Sequence, residues 1–383
     1  MDVAGPASVP APPTAERPSL RARLLLCLFA TVLGLLLMEG GLRIFWKRPP
    51  EFMATNLRGS GLFVPDPKVG WRMTRNFRLD FRWYWGEAAT VLTNSSGFRD
   101  VEQTRERSVG VPRVVMLGDS HAFGYGVRSE EMASSVLRTR MPDVEILNLA
   151  VTGYNTRQCR AMFEEQGVAF RPDVVVLALC LNDVTEQVIP AAAAVAAPPQ
   201  SGDSRILAHS RSLQFLRAQV NSNRTLVRLL VSLGVKEHLG GYEMLDPNLR
   251  PALREYPPEL VRDWEQTCGE ILLLRDECAA AGAALLVAPV PAVQTVDEVR
   301  LERSLTYLDY TPEDFDPAKP YREIATLCAA QGVAYLDTYP AFVGRQSARD
   351  PPHLEYDLHI NASGHRLLAE LLAPRLREML RRN

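Results

Sequence analysis

The sequence has no C-x-x-C pair, no basic excess and no internal repeat, and each absence removes a class of function. Its six cysteines, Cys27, Cys159, Cys180, Cys268, Cys278 and Cys328, are scattered, which argues against a thiolate zinc site. They lie in apolar segments, where a small buried thiol is the expected reading. For an exported domain, a disulfide such as Cys268–Cys278 stays open. Lys and Arg number 43 against 45 Asp and Glu, a formal net charge of -2. A phosphate-binding surface shows as a basic excess or cluster, so nucleic acid is not expected as a partner. At 383 residues the chain is long enough for one full domain with appendages.

Residues 1–20 are rich in Pro, Ala and Ser, a composition that cannot bury a core and predicts disorder. Arg17, Arg21 and Arg23 then precede an uninterrupted apolar run, Leu24 to Met38. The run is short for a span of about 20 residues and could serve as a signal-peptide core. No A-x-A-like cleavage site follows it, however, and apolar character resumes at Leu42, Ile44, Phe45 and Trp46. Trp46, Lys47 and Arg48 resemble an interfacial belt. Residues 21–48 are therefore read as an uncleaved transmembrane signal anchor, in preference to a buried soluble helix. The N-terminus is placed in the cytoplasm and the main domain in the periplasm or outside the cell. Glu39 is the awkward residue, since a carboxylate within a span is costly without a partner.

Residues 49–110 read as a lead-in segment, with strand-like aromatic stretches (Phe77 to Trp85) and a turn at Asn94-Ser95-Ser96-Gly97. From Arg113 short β-rich runs alternate with helical ones. Strand-like runs are Val114–Leu117, Val144–Leu149, Val174–Leu181, Ala284–Pro289 and Val333–Asp337. Helical runs are Glu130–Arg140, Thr156–Phe170, Leu260–Ala281, Tyr321–Ala330 and Ala362–Arg382. Such alternation predicts an α/β domain over 111–383 with a central parallel sheet covered on both faces. Ligands of such sheets bind beyond the carboxyl ends of the strands. Residues 184–256 interrupt the pattern with the low-complexity stretch Pro190–Gln200 and amphipathic helical segments around Ser212–Leu233. This insertion is placed to act as a lid or cap, or simply to pack.

The run Arg113 to Leu117 ends abruptly at Gly118-Asp119-Ser120, which puts Ser120 at a strand's carboxyl end. A serine hydroxyl is a poor nucleophile without a base and a site for the resulting oxyanion. Other strand ends supply both. Gly153 follows the second strand and can bring its backbone N–H close to a substrate. Asn182 follows the third and offers a side-chain amide. Near the C-terminus, Asp357 and His359 are two residues apart, so in an extended segment they share a face. Asp357 can then hold the imidazole in the tautomer that a general base needs.

Over roughly residues 110–380 the chain resembles the SGNH/GDSL hydrolase family, through Ser120, Gly153, Asn182 and His359 in that order. Thr93-Asn94-Ser95-Ser96-Gly97-Phe98-Arg99 also looks like a lead-in of membrane-anchored bacterial members. The resemblance implies a flavodoxin-like three-layer fold and hydrolysis through an acyl-enzyme, with no metal or organic cofactor. It also implies an oxyanion site made by the N–H groups of Ser120 and Gly153 and the Asn182 amide. Two departures stand out. Cys180 takes the place of the usual Gly two before the Asn. The usual D-x-x-H would put the acid at position 356, which is Tyr356. Asp357 is then the chosen acid, with Glu355 or a backbone carbonyl as alternatives.

Other polar residues draw structural expectations. Asp119 caps the turn after the nucleophile, Asp183 is a hydrogen-bonding partner, and His121 points away from Ser120. His353 and His365 are reserve bases, His365 with a capping or packing role. His209 and His238 belong to the insertion's surface. Candidate functions are an esterase or deacylase acting on acylated small molecules, lipids or envelope glycans; an acyltransferase using a sugar hydroxyl; and a non-catalytic envelope scaffold. Phosphotransfer through Asp119 lacks an accompanying acidic cluster.

Overall fold

Arg113–Gly118 shows no polar alternation and every residue of it is buried, the signature of a strand covered on both faces. Val174–Leu179 follows the same rule, as does Ala284–Pro289 apart from the half-buried Ala284. In the computed structural model, which describes residues 19–45, 60–82, 88–185, 210–213, 215–216, 245–305, 308, 310–355 and 357–382, these runs form the centre of one parallel sheet. The chain divides into two compact units, one joining residues 1–48 and 202–223, the other 49–201 and 224–383.

The larger unit opens with two antiparallel hairpins, β1 (Phe63–Asp66) with β2 (Gly70–Met73) and β3 (Arg78–Arg82) with β4 (Ala88–Leu92). The parallel sheet follows: β5 (Arg113–Gly118), β6 (Glu145–Asn148), β7 (Val174–Leu179), β8 (Ala284–Pro289) and β9 (Ala334–Tyr335). Their spatial order is β6-β5-β7-β8-β9. In chain order this is 2-1-3-4-5, the flavodoxin-like arrangement, which places its binding crevice where the first and third strands diverge. The described part of Val333–Asp337 that pairs as strand is only β9, although Leu336 N still donates to Val287 O (3.0 Å).

Two groups of helices cover the sheet. Helix α3 (Ala133–Arg140), after the short turn α2 (Ser120–Phe123), packs on β6 and on the C-terminal helix α11 (Ala362–Arg382). The second group holds α4 (Thr156–Met162) and, after the single turn α5 (Asn182–Thr185), the long helix α6 (Pro258–Ala280). On α6 the buried positions Leu260, Trp264, Thr267, Ile271, Leu274 and Cys278 recur at intervals of three and four, which lines one helical face. The stretch expected as one helix over Thr156–Phe170 is α4 continued by a π turn and a 3-10 turn. Three helices lack a sequence signal: α7 (Val293–Val296), α8 (Glu298–Leu305) and α10 (Tyr339–Gln346); α9 (Lys319–Gln331) matches its expected run. All six cysteines are free. Cys268 and Cys278 lie ten residues apart on α6, about 15 Å along the axis, so no disulfide joins them.

The smaller unit contains α1 (Leu20–Phe45), of which Leu25–Phe45 is long and apolar enough to cross a membrane, a property shared by anchors and signal sequences. Leu25, Phe29 and Leu36 are exposed. Glu39 does find partners: its carboxylate accepts from Arg211 N (2.9 Å), Ser212 N (2.8 Å), Ser212 Oγ (2.9 Å) and Arg43 Nε (2.9 Å). It thereby caps the first turn of a helical segment beginning at Arg211. Residues 1–18, the belt Trp46-Lys47-Arg48, Trp83 to Trp85, the stretch Pro190–Gln200, most of Ser212–Leu233, His209, His238 and Tyr356 lie outside the described residues.

Three histidines belong to the core: His121, His353 and His365 are 5%, 2% and 0% exposed. Burial pulls His121 down to about 4 and the other two to about 3, from an ordinary 6.5. They stay neutral in the folded chain while an unfolded chain protonates them below pH 6.5. The unfolded state then binds more protons, so stability falls as pH drops through that window. Denaturant midpoints measured between pH 7.5 and 5 should decline steadily below about pH 6.5; a flat profile would refute this reading of the core.

Candidate active site

The site begins with a strand that must stop within one residue. A Cβ on Gly118 would stand 2.8 Å from Ala122 Cβ and 3.0 Å from Ala178 O, so only glycine lets α2 turn back so tightly over the end of β5. Asp119 caps that turn by accepting from His121 N (2.9 Å), as expected. Ser120 is its first residue and keeps part of its surface exposed among buried neighbours.

The chain's far end closes on it. Ser120 Oγ donates to His359 Nε2 at 2.7 Å, and His359 Nδ1 donates to the Asp357 carboxylate. Asp357 also accepts from the His359 backbone N–H (3.0 Å). With one residue between them, the carboxylate folds back onto both nitrogens of its neighbour. The D-x-H spacing therefore brings acid and imidazole together, while Glu355 is exposed. A hydroxyl donating to an imidazole whose other nitrogen faces a carboxylate is an arrangement that lets a serine oxygen shed its proton as it attacks.

Gly153 and Asn182 stand at the neighbouring strand ends, Gly153 exposed and Asn182 half-buried. Gly153 adopts φ +79°, and a Cβ there would come within 3.2 Å of Trp71 Cζ2. Trp71 lies on β2, donates through Nε1 to Thr152 O (3.3 Å) and meets Tyr154 edge-on at 5.5 Å. The Tyr154 hydroxyl returns to Trp71 O, and Gln158 Nε2 donates to Val69 O (2.6 Å). The first hairpin thus supports the Gly153 loop. Nothing in the sequence points to Trp71.

Beneath the site, Asp119 and Asp183 are both buried. Asp183 accepts from Thr156 Oγ1 (3.3 Å), the partner role expected of it. Cys180, the residue replacing a glycine, places its thiol 3.1 Å from Asp119 Oδ1. Burial pushes that thiol well above its ordinary pKa, so it remains protonated and serves as a donor.

The other described histidines are supports. His353 Nε2 pairs with Pro291 O (3.0 Å), and His365 Nδ1 accepts from Ala133 N (3.2 Å). His121 does not point away from the site. Its ring centroid is 4.8 Å from that of His359, because the helical turn starting at Ser120 carries the next side chain towards Ile360, whose N–H faces His121 Nδ1 (3.4 Å). Tyr125 also lies against His359, at 4.4 Å between centroids. The loop carrying Asp357 is tied by Arg300 of α8, which donates to the carbonyls of Leu354, Glu355 (2.6 Å) and Asp357 (2.9 Å). Arg300 gives no sequence signal, since its acceptors are backbone groups more than fifty positions away. Among the described residues no His/Cys/Asp/Glu cluster suits a metal ion.

Residues 116–367, more than half of the chain, match the model of the GDSL-like lipase/acylhydrolase family. No curated protein matches the chain. Among solved structures, a GDSL-like lipase from Bacteroides thetaiotaomicron is similar at 13% identity, with 70% of this chain and 88% of that one covered and a TM-score of 0.36. A catalytic mutant of an acetylxylan esterase from Geobacillus stearothermophilus shares 15% over 71% and 96%, at 0.38. A psychrotrophic esterase from a Pseudoalteromonas species shares 12% over 70% and 98%, at 0.37. By its family match, the chain belongs to the GDSL-like lipase/acylhydrolase family and is a serine ester hydrolase.

Proposed function

We propose that Ser120 is the nucleophile of an esterase or deacylase that works through an acyl-enzyme. The observation that carries this reading is the 2.7 Å hydrogen bond from Ser120 Oγ to His359 Nε2, with Asp357 behind the ring. Ser120 Oγ attacks the acyl carbon while its proton passes to His359 Nε2. The resulting imidazolium is stabilised by Asp357, and the oxyanion is held by the N–H groups of Ser120 and Gly153 and by the Asn182 amide. Collapse breaks the ester C–O bond, and Nε2 returns the proton to the departing alcohol. Water then attacks the acyl-serine with the same base, releasing the carboxylic acid and restoring Ser120. No step calls for a metal or organic cofactor.

The substrate class is an acylated small molecule, lipid or envelope glycan, with the domain tethered by α1 and exported to the periplasm or cell exterior. The length and apolar character of Leu25–Phe45 support the tether.

A fluorophosphonate probe should label the full chain at one site, and Ser120→Ala should abolish the label; label persisting in that variant would sink the assignment. His359→Ala is expected to leave only residual labelling, and normal labelling would shift the base elsewhere. Asp357→Asn should slow turnover of a model ester by about 10²–10⁴-fold, and Asn182→Ala by about 10²–10³-fold; near wild-type rates in either would remove that residue from the mechanism. Alkaline carbonate should leave the full-length chain in the membrane pellet, and its quantitative release would overturn the anchor.

A further inference from the structure

The segment Asn94 to Arg99 has no part in the chemistry above, yet it is rigidly made. Asn94 Oδ1 accepts from the N–H groups of Ser96 and Phe98 (3.0 Å each), and Asn94 N donates to Phe98 O (2.9 Å). A side chain at Gly97 would strike Met73 O at 2.7 Å. This turn delivers Arg99, which is 2% exposed and forms no ion pair with a carboxylate among the described residues. Its guanidinium instead donates to three carbonyls: Phe123 O (3.3 Å), Gly124 O (2.6 Å) and Val127 O (2.8 Å). It also lies over the Phe123 ring at 5.1 Å.

Those carbonyls belong to the turn that leaves Ser120. Within it, Tyr125 N donates to Ser120 O (2.9 Å) and the Tyr125 ring rests on His359. Gly124 is pinned between Met132 and Arg99: a Cβ there would be 2.6 Å from Met132 Cγ and 3.2 Å from Arg99 Nη1. A buried cation spent on backbone carbonyls is costly unless its hydrogen bonds are satisfied. Its planar fork can bind several carbonyls at once, which a lysine ammonium does less well.

We propose that Arg99 is a positioning residue: by clamping the Phe123–Val127 turn it sets the ring of Tyr125 against His359 and holds the imidazole in line with Ser120. The proposal rests on the reading of His359 as the base of Ser120. It gives the Thr93–Arg99 segment a function in the site.

The test uses the full-length chain in detergent and four variants: Tyr125→Phe, Tyr125→Leu, Arg99→Lys and the double Arg99→Lys/Tyr125→Leu. Fluorophosphonate labelling is followed against probe concentration. Tyr125→Phe should keep the saturating rate within about twofold, while Tyr125→Leu and Arg99→Lys should each lower it by on the order of tenfold. The half-saturating concentration should not move. The double variant should be no slower than Tyr125→Leu alone, because both changes break one linkage. Losses that multiply in the double variant, or a wild-type rate in Arg99→Lys, overturn the proposal. A second measurement is independent of catalysis. The His359 ring-proton resonance, assigned with His359→Gln, should be displaced by the Tyr125 ring current and should lose that displacement in both Tyr125→Leu and Arg99→Lys. An unchanged resonance in Arg99→Lys refutes the positioning role whatever the labelling shows. Failure of wild-type labelling with these shifts intact would instead fault the assignment of Ser120.

Discussion

The hydrogen bond between Ser120 and His359 joins residues 239 positions apart, and much of the surrounding architecture exists to keep those two ends in register. A parallel sheet buried on both faces leaves its strand ends as the places where polar side chains can meet solvent and substrate. Ser120 rides the end of β5, whereas His359 rides a loop just ahead of α11 and outside the central sheet, its carbonyl accepting from Leu354 N (2.9 Å). Arg300 binds that loop through three carbonyls, and Arg99 binds the turn after Ser120 through three more. Two arginines, one from the lead-in and one from α8, thus stabilise the backbone on either side of a single hydrogen bond. Each lost acceptor bond in such a buried place costs about 1–3 kcal/mol, enough to loosen a loop without unfolding the sheet.

Much of this is legible in the chain. Buried strands announce themselves as unbroken apolar runs, and Val114–Leu117, Val174–Leu181 and Ala284–Pro289 lie within two residues of the observed limits. Ser120, Gly153 and Asn182 are legible because the proposed chemistry needs particular residue types after particular strands, and His359 because it follows an acid near the last helix. What escapes a sequence reading acts through the backbone. Trp71, Arg300 and the ring of Tyr125 work by touching main-chain atoms or another ring far away in sequence, and no local pattern encodes such contacts. Helices α7, α8 and α10 are hidden because each is short, with at most two turns to show a periodicity. The edge strand β9 shrinks to two residues, since a peripheral strand has one neighbour to hold it. His121 departs from expectation because alternation holds only within a strand, and at Ser120 a helical turn has already begun.

The two departures from the family pattern resolve differently. Ahead of His359, one fewer residue lets Asp357 serve the ring nitrogen and the backbone N–H of His359 together, so the carboxylate's position is coupled to its partner's main chain. At Cys180, a thiol stands where glycine offers nothing but space. Its proton faces the buried Asp119, adding a donor to a carboxylate that also caps α2.

The carboxylate of Glu39 has a consequence for anyone handling the protein. It is the acceptor for the opening turn of the segment at Arg211 and Ser212, so the apolar helix and part of the long insertion form a single folding unit. Trimming the N-terminus to obtain a soluble enzyme would remove more than a tether. It would strip the segment at Arg211 and Ser212 of its helix cap. The trimmed protein's solubility would then report on a different molecule from the one the full chain builds.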